Sequence, residues 1–168
     1  SNISVFDYQL NFLESRGDLT TEIINEFAES DYAPSMTKVG SLISQNILVI
    51  IIAFILSVFY GAGALFLIVL NASVFAAFIN YVIREIGNVA AMIGIFMIHL
   101  VPELTGFLAA AIAGGVVSRA LYKEQPGSKG FKNVMQDAFV LLSISILLII
   151  IAAFLEVFVS ASLVKMII

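Results

Sequence analysis

Cysteine is absent from this chain, which rules out a disulfide, a thiolate metal site and a cysteine nucleophile. Charge is scarce as well. Only 12% of the 168 residues are charged, roughly half of what a soluble domain carries and too few to cover a water-facing surface. The eight cationic residues are not clustered on one face, so a nucleic-acid footprint is excluded. A Gly-rich phosphate loop, a GxSxG elbow and a nucleophile with an adjacent base are all missing. So is any tandem repeat, or the inverted repeat that marks many transporters. The first 35 residues lack a basic region followed by an apolar core, so no secretory signal peptide is visible there. The first apolar run is therefore expected to act as a signal-anchor.

What the chain does have is apolar sequence. Hydrophobic residues make up 61% of it, and long apolar runs follow Ser35. The chain reads as an integral membrane protein whose partners include membrane lipids. Its expected fold is all-α, a polytopic transmembrane helical bundle of about five spans with an amphipathic N-terminal helical segment. Two regions follow: residues 1–38 as the juxtamembrane segment and residues 39–168 as the transmembrane domain.

Seven of the twelve acids precede residue 32: Asp7, Glu14, Asp18, Glu22, Glu26, Glu29 and Asp31. Within that segment Ile23, Ile24 and Phe27 share one helical face. Asp18, Thr20 or Thr21 can cap the helix, and Pro34 ends it. A helix needs roughly 20 apolar residues to cross a bilayer. The first span is expected over about Gly40 to Tyr60 and the second over about Gly63 to Val82, joined by Gly61-Ala62-Gly63. From Ile86 to Leu121 the apolar sequence is too long for one span. Pro102-Glu103 interrupts it, so it reads as two short spans meeting there, or as a re-entrant pair. Tyr122 to Asp137 reads as a polar loop with a turn at Pro126-Gly127. Ala138 to Ser160 is the last span.

On five spans, Lys38, Arg84, Arg119, Lys123, Lys129 and Lys132 fall on one side and only Lys165 on the other; if 86–121 is re-entrant, Lys165 joins them. The positive-inside rule then makes that side cytoplasmic. The expected location is the cell membrane, multi-pass, with the N-terminus cytoplasmic.

Three ionisable residues lie inside this apolar sequence: His99 (the only histidine), Glu103 and Glu156. Placing a charge at the centre of a membrane helix costs roughly 2.5–3.5 kcal/mol on insertion scales, so such residues have a partner, a cavity or a job. In the five-span reading all three reach the same outer depth. They can form a hydrogen-bonded knot in which His99 pairs with a glutamate, a proton- or substrate-handling site, or a metal site of one imidazole and two carboxylates. The knot is the simplest, since no second histidine exists; no catalytic residue, metal or cofactor is assigned. Asn46, Asn71 and Asn80 are expected to hydrogen-bond between helices. Gly106, Ala109, Ala110, Ala111, Ala113, Gly114 and Gly115 form a close-packing face. Ala110–Gly114 and Ala111–Gly115 have small-xxx-small spacing, which serves either internal packing or self-association.

These motifs, in order, resemble the stage II sporulation protein M family of multispanning membrane proteins. The matching features are Asn46 early in the first span, the Gly61-Ala62-Gly63 turn and Asn71-Ala72. His99 and Glu103 follow, with Ala113, Gly114 and Gly115 after them, and then Ala152-Ala153-Phe154-Leu155-Glu156. The family usually has Pro and Gly either side of the histidine; here Ile98 and Leu100 stand there, and Pro102 is extra. The resemblance spans about residues 40–160. It implies a subunit of a membrane-anchored complex that, in sporulating members, remodels peptidoglycan through hydrolases on partner subunits.

The expected role is therefore a non-enzymatic scaffold or membrane-organising subunit, in a homo-oligomer or with other membrane proteins and without nucleic acid. One alternative is a small transporter or channel using His99, Glu103 and Glu156. A weaker one is an intramembrane metal-dependent hydrolase.

Overall fold

Ser35 starts the first helix. Its side-chain oxygen accepts the Lys38 backbone N–H at 3.3 Å, which satisfies one of the orphan donors of a helix N-terminus. The computed structural model describes residues 33–61, 67, 69, 73, 76, 89–164 and 166. Among them every regular element is helical: α1 (Met36–Tyr60), α2 (Val89–Lys123), α3 (Lys129–Phe154), a π-helical segment (Leu155–Ser160) and α4 (Ala161–Val164). The expected amphipathic segment before residue 33, and most of the second span with Asn71 and Asn80, lie outside the described residues.

Among the described residues three stretches are long and apolar enough to cross a membrane: Met36–Tyr60, Ala90–Lys123 and Lys129–Val164. Gly61 ends α1 in the left-handed region at φ 64°, its N–H on the Ser57 carbonyl, a conformation that costs a side-chain-bearing residue. The α2–α3 turn has Pro126 followed by Gly127 at φ 88°, closed by Ser128 N–H on the Gln125 carbonyl at 3.0 Å. That is the sequence and bonding of a type II turn. Ser128 then caps α3 by accepting the Phe131 N–H at 3.1 Å.

Two expectations are corrected. The break at Pro102 is absent, and one helix of 35 residues runs through it. In water a mid-helix proline loses one hydrogen bond and usually ends the helix. In hydrocarbon, ending it would expose a whole turn of backbone groups to solvent that cannot hydrogen-bond, so keeping the helix costs less. At about 52 Å, α2 outreaches a hydrocarbon core of about 30 Å. The loop expected over Tyr122 to Asp137 is also mostly helix. Lys129–Asp137 forms the first turns of α3, a polar extension beyond the span.

The packing sets the helix directions. Val39 meets Ala153 and Val157. Ile50 and Ala53 meet Phe107, Ala110 and Ile149, with Leu67 in the same cluster. Phe54 and Val58 lie against Ala113, Val117 and Ala138. So α1 runs parallel to α2, and α3 runs antiparallel to both. Lys38 is consequently at one end of the bundle, while Arg119, Lys123, Lys129 and Lys132 are at the other. The expectation that Lys38 shares a side with Arg119, Lys123, Lys129 and Lys132 needs a break at Pro102 and does not hold.

Candidate functional site

His99 is 5% exposed, on the face of α2 that packs against the π segment. Its Nδ1 lies 2.9 Å from Ser160 Oγ, and Ser160 Oγ donates to the Ile95 carbonyl at 3.3 Å. Both bonds are satisfied at once when the imidazole carries its proton on Nδ1 and donates it to the serine. Phe96 packs against the same ring, centroids 5.2 Å apart and planes tilted by 59°. The hydrogen bond expected of His99 is present, but its partner is a serine rather than a glutamate.

The backbone that delivers Ser160 is unusual. Leu155–Ser160 is π-helical, and the Ala161 N–H reaches five residues back to the Glu156 carbonyl. Such turns are rare and recur at functional sites. Glu156 sits at the start of this segment and Glu103 one turn beyond His99 on α2, both half-buried. Among the described residues no three His, Asp or Glu side chains gather into a group that could hold a metal ion.

A serine hydroxyl beside an imidazole also has the elements of a nucleophile and its base. Here the pair is sealed, with Ser160 only 4% exposed. When the imidazole carries its proton on Nδ1, the hydroxyl donates to the Ile95 carbonyl and the ring nitrogen facing it is a donor, not a base.

A second interhelical bond repeats the device. Ser145, fully buried, donates to the Gly106 carbonyl at 2.7 Å. Gly106 permits this approach, because a Cβ there would stand 3.1 Å from the Ser145 carbonyl and 3.4 Å from the Ile149 side chain. Gly114 faces α1: a Cβ would fall on the Phe54 carbonyl and 2.7 Å from Ser57 Cβ. Ala110 packs into the same α1 contact with Ile50 and Ala53. The small residues at 106, 110 and 114 thus serve internal packing. Gly115 does not, since a Cβ there meets nothing within 4 Å. Asn46 is half-buried on α1.

Sequence reasoning missed Ser145 and Ser160. A serine in a long apolar run barely alters hydropathy, and only its register against α2 gives it a role.

No curated protein and no solved structure matches the chain. The profile of one family does, that of stage II sporulation protein M, over residues 6–161. This range holds all three apolar helices and the His99–Ser160 contact, so the chain belongs to the stage II sporulation protein M family.

Proposed function

We propose that this protein is a non-enzymatic, multi-pass cell-membrane subunit that organises a homo- or hetero-oligomeric assembly. The supporting observation is how the buried polar groups are used. His99, Ser160 and Ser145 are engaged in helix-to-helix hydrogen bonds, which fixes the bundle's register without leaving those groups for chemistry. A place in a membrane-anchored complex is also what the family resemblance implies. Crosslinking in native membranes, followed by gentle extraction, is expected to give a species of defined mass above that of the single chain. A strictly monomeric protein under those conditions refutes the reading.

The N-terminus is taken as cytoplasmic. Lys38 lies in the first turn of α1, Gly61-Ala62-Gly63 after the helix carries no charge, and the first span usually dominates orientation. The four cations at the α2–α3 turn oppose this, so the orientation is a direct target for labelling.

A second reading rests on Glu103 and Glu156, half-buried at membrane depth beside a π turn. Carboxyls so placed occur on ion and proton pathways. Proteoliposomes passing protons or a small solute in a manner lost with Glu103→Gln or Glu156→Gln would favour a transporter or channel. Flux equal to that of empty liposomes would end it.

A further inference from the structure

The outward face of α1 changes character halfway along. At one end it carries Leu48, Ile51, Ile52, Ile55 and Phe59, all exposed as a lipid-facing surface requires. At the other it carries Thr37, Gly40, Ser41, Ser44 and Gln45, also exposed. These positions continue the same stripe at helical spacing. Tyr60, 79% exposed at the end of α1, marks an interface in the way aromatic belts do. Gln45 lies fifteen residues from it, about 22 Å along the axis and so within a core of about 30 Å. Outward on the other helices in that half of the bundle are Met97 and Val101 on α2 and Phe158 and Val159 on the π segment, while the exposed Thr105 and Ser162 hydroxyls donate to carbonyls of their own helices, those of Val101 and Phe158. The interhelical hydrogen bonds of Ser145 and Ser160 run to α2 and not to this face. A primary amide turned toward lipid needs a polar partner there.

We propose that this half of α1 is the seam of a homodimer, in which two α1 helices pack in parallel about a twofold axis along the membrane normal. The chemistry of the face favours a second copy as occupant. A glutamine amide is donor and acceptor at once, so Gln45 is complementary to itself. A copy inserted in the same orientation brings its own Gln45 to the same depth. Gly40 and Ser44 are four apart, and a Cβ at Gly40 would meet nothing within 4 Å, so the backbones are free to approach. This rests on the oligomeric reading above and names the contact within it.

The chain contains no cysteine, so single cysteines report cleanly. In native membranes treated with a copper–phenanthroline oxidant, Ser41→Cys and Ser44→Cys are expected to form disulfide-linked dimers. Ile112→Cys and Leu147→Cys, outward on α2 and α3, remain monomeric. Gln45→Leu, at fixed protein-to-lipid ratio, lowers the dimerisation constant roughly tenfold, the scale of an interhelical hydrogen bond in a bilayer. If an assembly of defined mass forms but Ser44→Cys crosslinks no better than Ile112→Cys, the seam is elsewhere and the scaffold reading survives. If every variant and the parent are monomeric, both fall. Rapid labelling of Ser44→Cys by a membrane-impermeant thiol reagent would show a water-lined face and overturn the seam.

Discussion

Gly114 and Gly115 are neighbours in sequence with opposite surroundings, which makes them a controlled test of the α1–α2 contact. In both, replacement by alanine adds one methyl group and the same gain in helix propensity, up to about 1 kcal/mol. That gain cancels in the comparison. At Gly114 the methyl falls on the Phe54 carbonyl and 2.7 Å from Ser57 Cβ, where ordinary contact begins at 3.4 Å. Phe54 offers backbone rather than the end of a flexible side chain, so α1 must withdraw as a body by roughly an ångström. Overpacking of this kind costs about 1–3 kcal/mol. Withdrawal also loosens Ile50 and Ala53 against Ala110, since a gap of about 0.5–1 Å forfeits a quarter to a half of each dispersion contact. At Gly115 a Cβ meets nothing within 4 Å, and no such cost arises. Gly114→Ala is therefore expected to be less stable than Gly115→Ala by about 1–3 kcal/mol. Followed by far-UV circular dichroism in mild detergent, that is a midpoint difference of about 2–12 °C for a chain of this size. Equal midpoints, or a lower one for Gly115→Ala, would refute the register assigned to α1 and α2.

Ser160→Ala leaves the His99 imidazole buried without the partner it has at 2.9 Å, at a cost of about 1–3 kcal/mol. Ser145→Ala removes a donor from a carbonyl and costs nearer ~0.6 kcal/mol, the membrane average. A double-mutant cycle of His99→Leu with Ser160→Ala should give a coupling of about 0.5–3 kcal/mol, and a coupling near zero would mean the two groups do not interact. Single cysteines decide how often residues 86–121 cross. Met36→Cys and Ala90→Cys are expected to react from one face of sealed membranes and Gln125→Cys from the other. A hairpin at Pro102 would put positions 90 and 125 on the same face.

The sequence reveals some parts of this fold and hides others, for physical reasons. Apolar runs of span length are unmistakable, and the span they predict over about Gly40 to Tyr60 falls within a few residues of α1. Pro126-Gly127 announces its turn because glycine at φ 88° is what that turn requires. Pro102 predicts a break by its behaviour in water, but lipid penalises a broken helix more, and α2 runs through it. Lys129–Asp137 has the polarity of a loop, but a capped helix extending beyond the bilayer is equally polar. The importance of His99 was visible from the cost of burying it. Its partner was not, since Ser160 lies 61 residues away and contact depends on how α3 is phased.

That phasing depends on the π segment. Fifteen residues separate Ser145 from Ser160, while only eleven separate their acceptors Gly106 and Ile95 on α2. Between the two contacts the α3 side therefore carries four more residues than α2, of which a π turn absorbs one locally. If Leu155–Ser160 wound as ordinary α-helix at its present length, Ser160 would swing by about 100° and leave His99. Deleting one outward residue from the segment should have the reverse effect, turning π into α while Ser160 keeps its direction. Phe158 is the natural choice: it is 39% exposed, and its described ring contact is a stack on Phe154 with centroids 6.0 Å apart. Loss of Phe158 is therefore expected to be tolerated, with a midpoint close to that of the parent. Loss of Leu147, 56% exposed in the regular part of α3, has no π turn beside it to take up the change. It would rotate Ile149, Ala152 and Ala153 away from their neighbours, and it should destabilise the bundle by more than Ser160→Ala does. If the two deletions prove equally damaging, the π segment is not what sets the direction of Ser160.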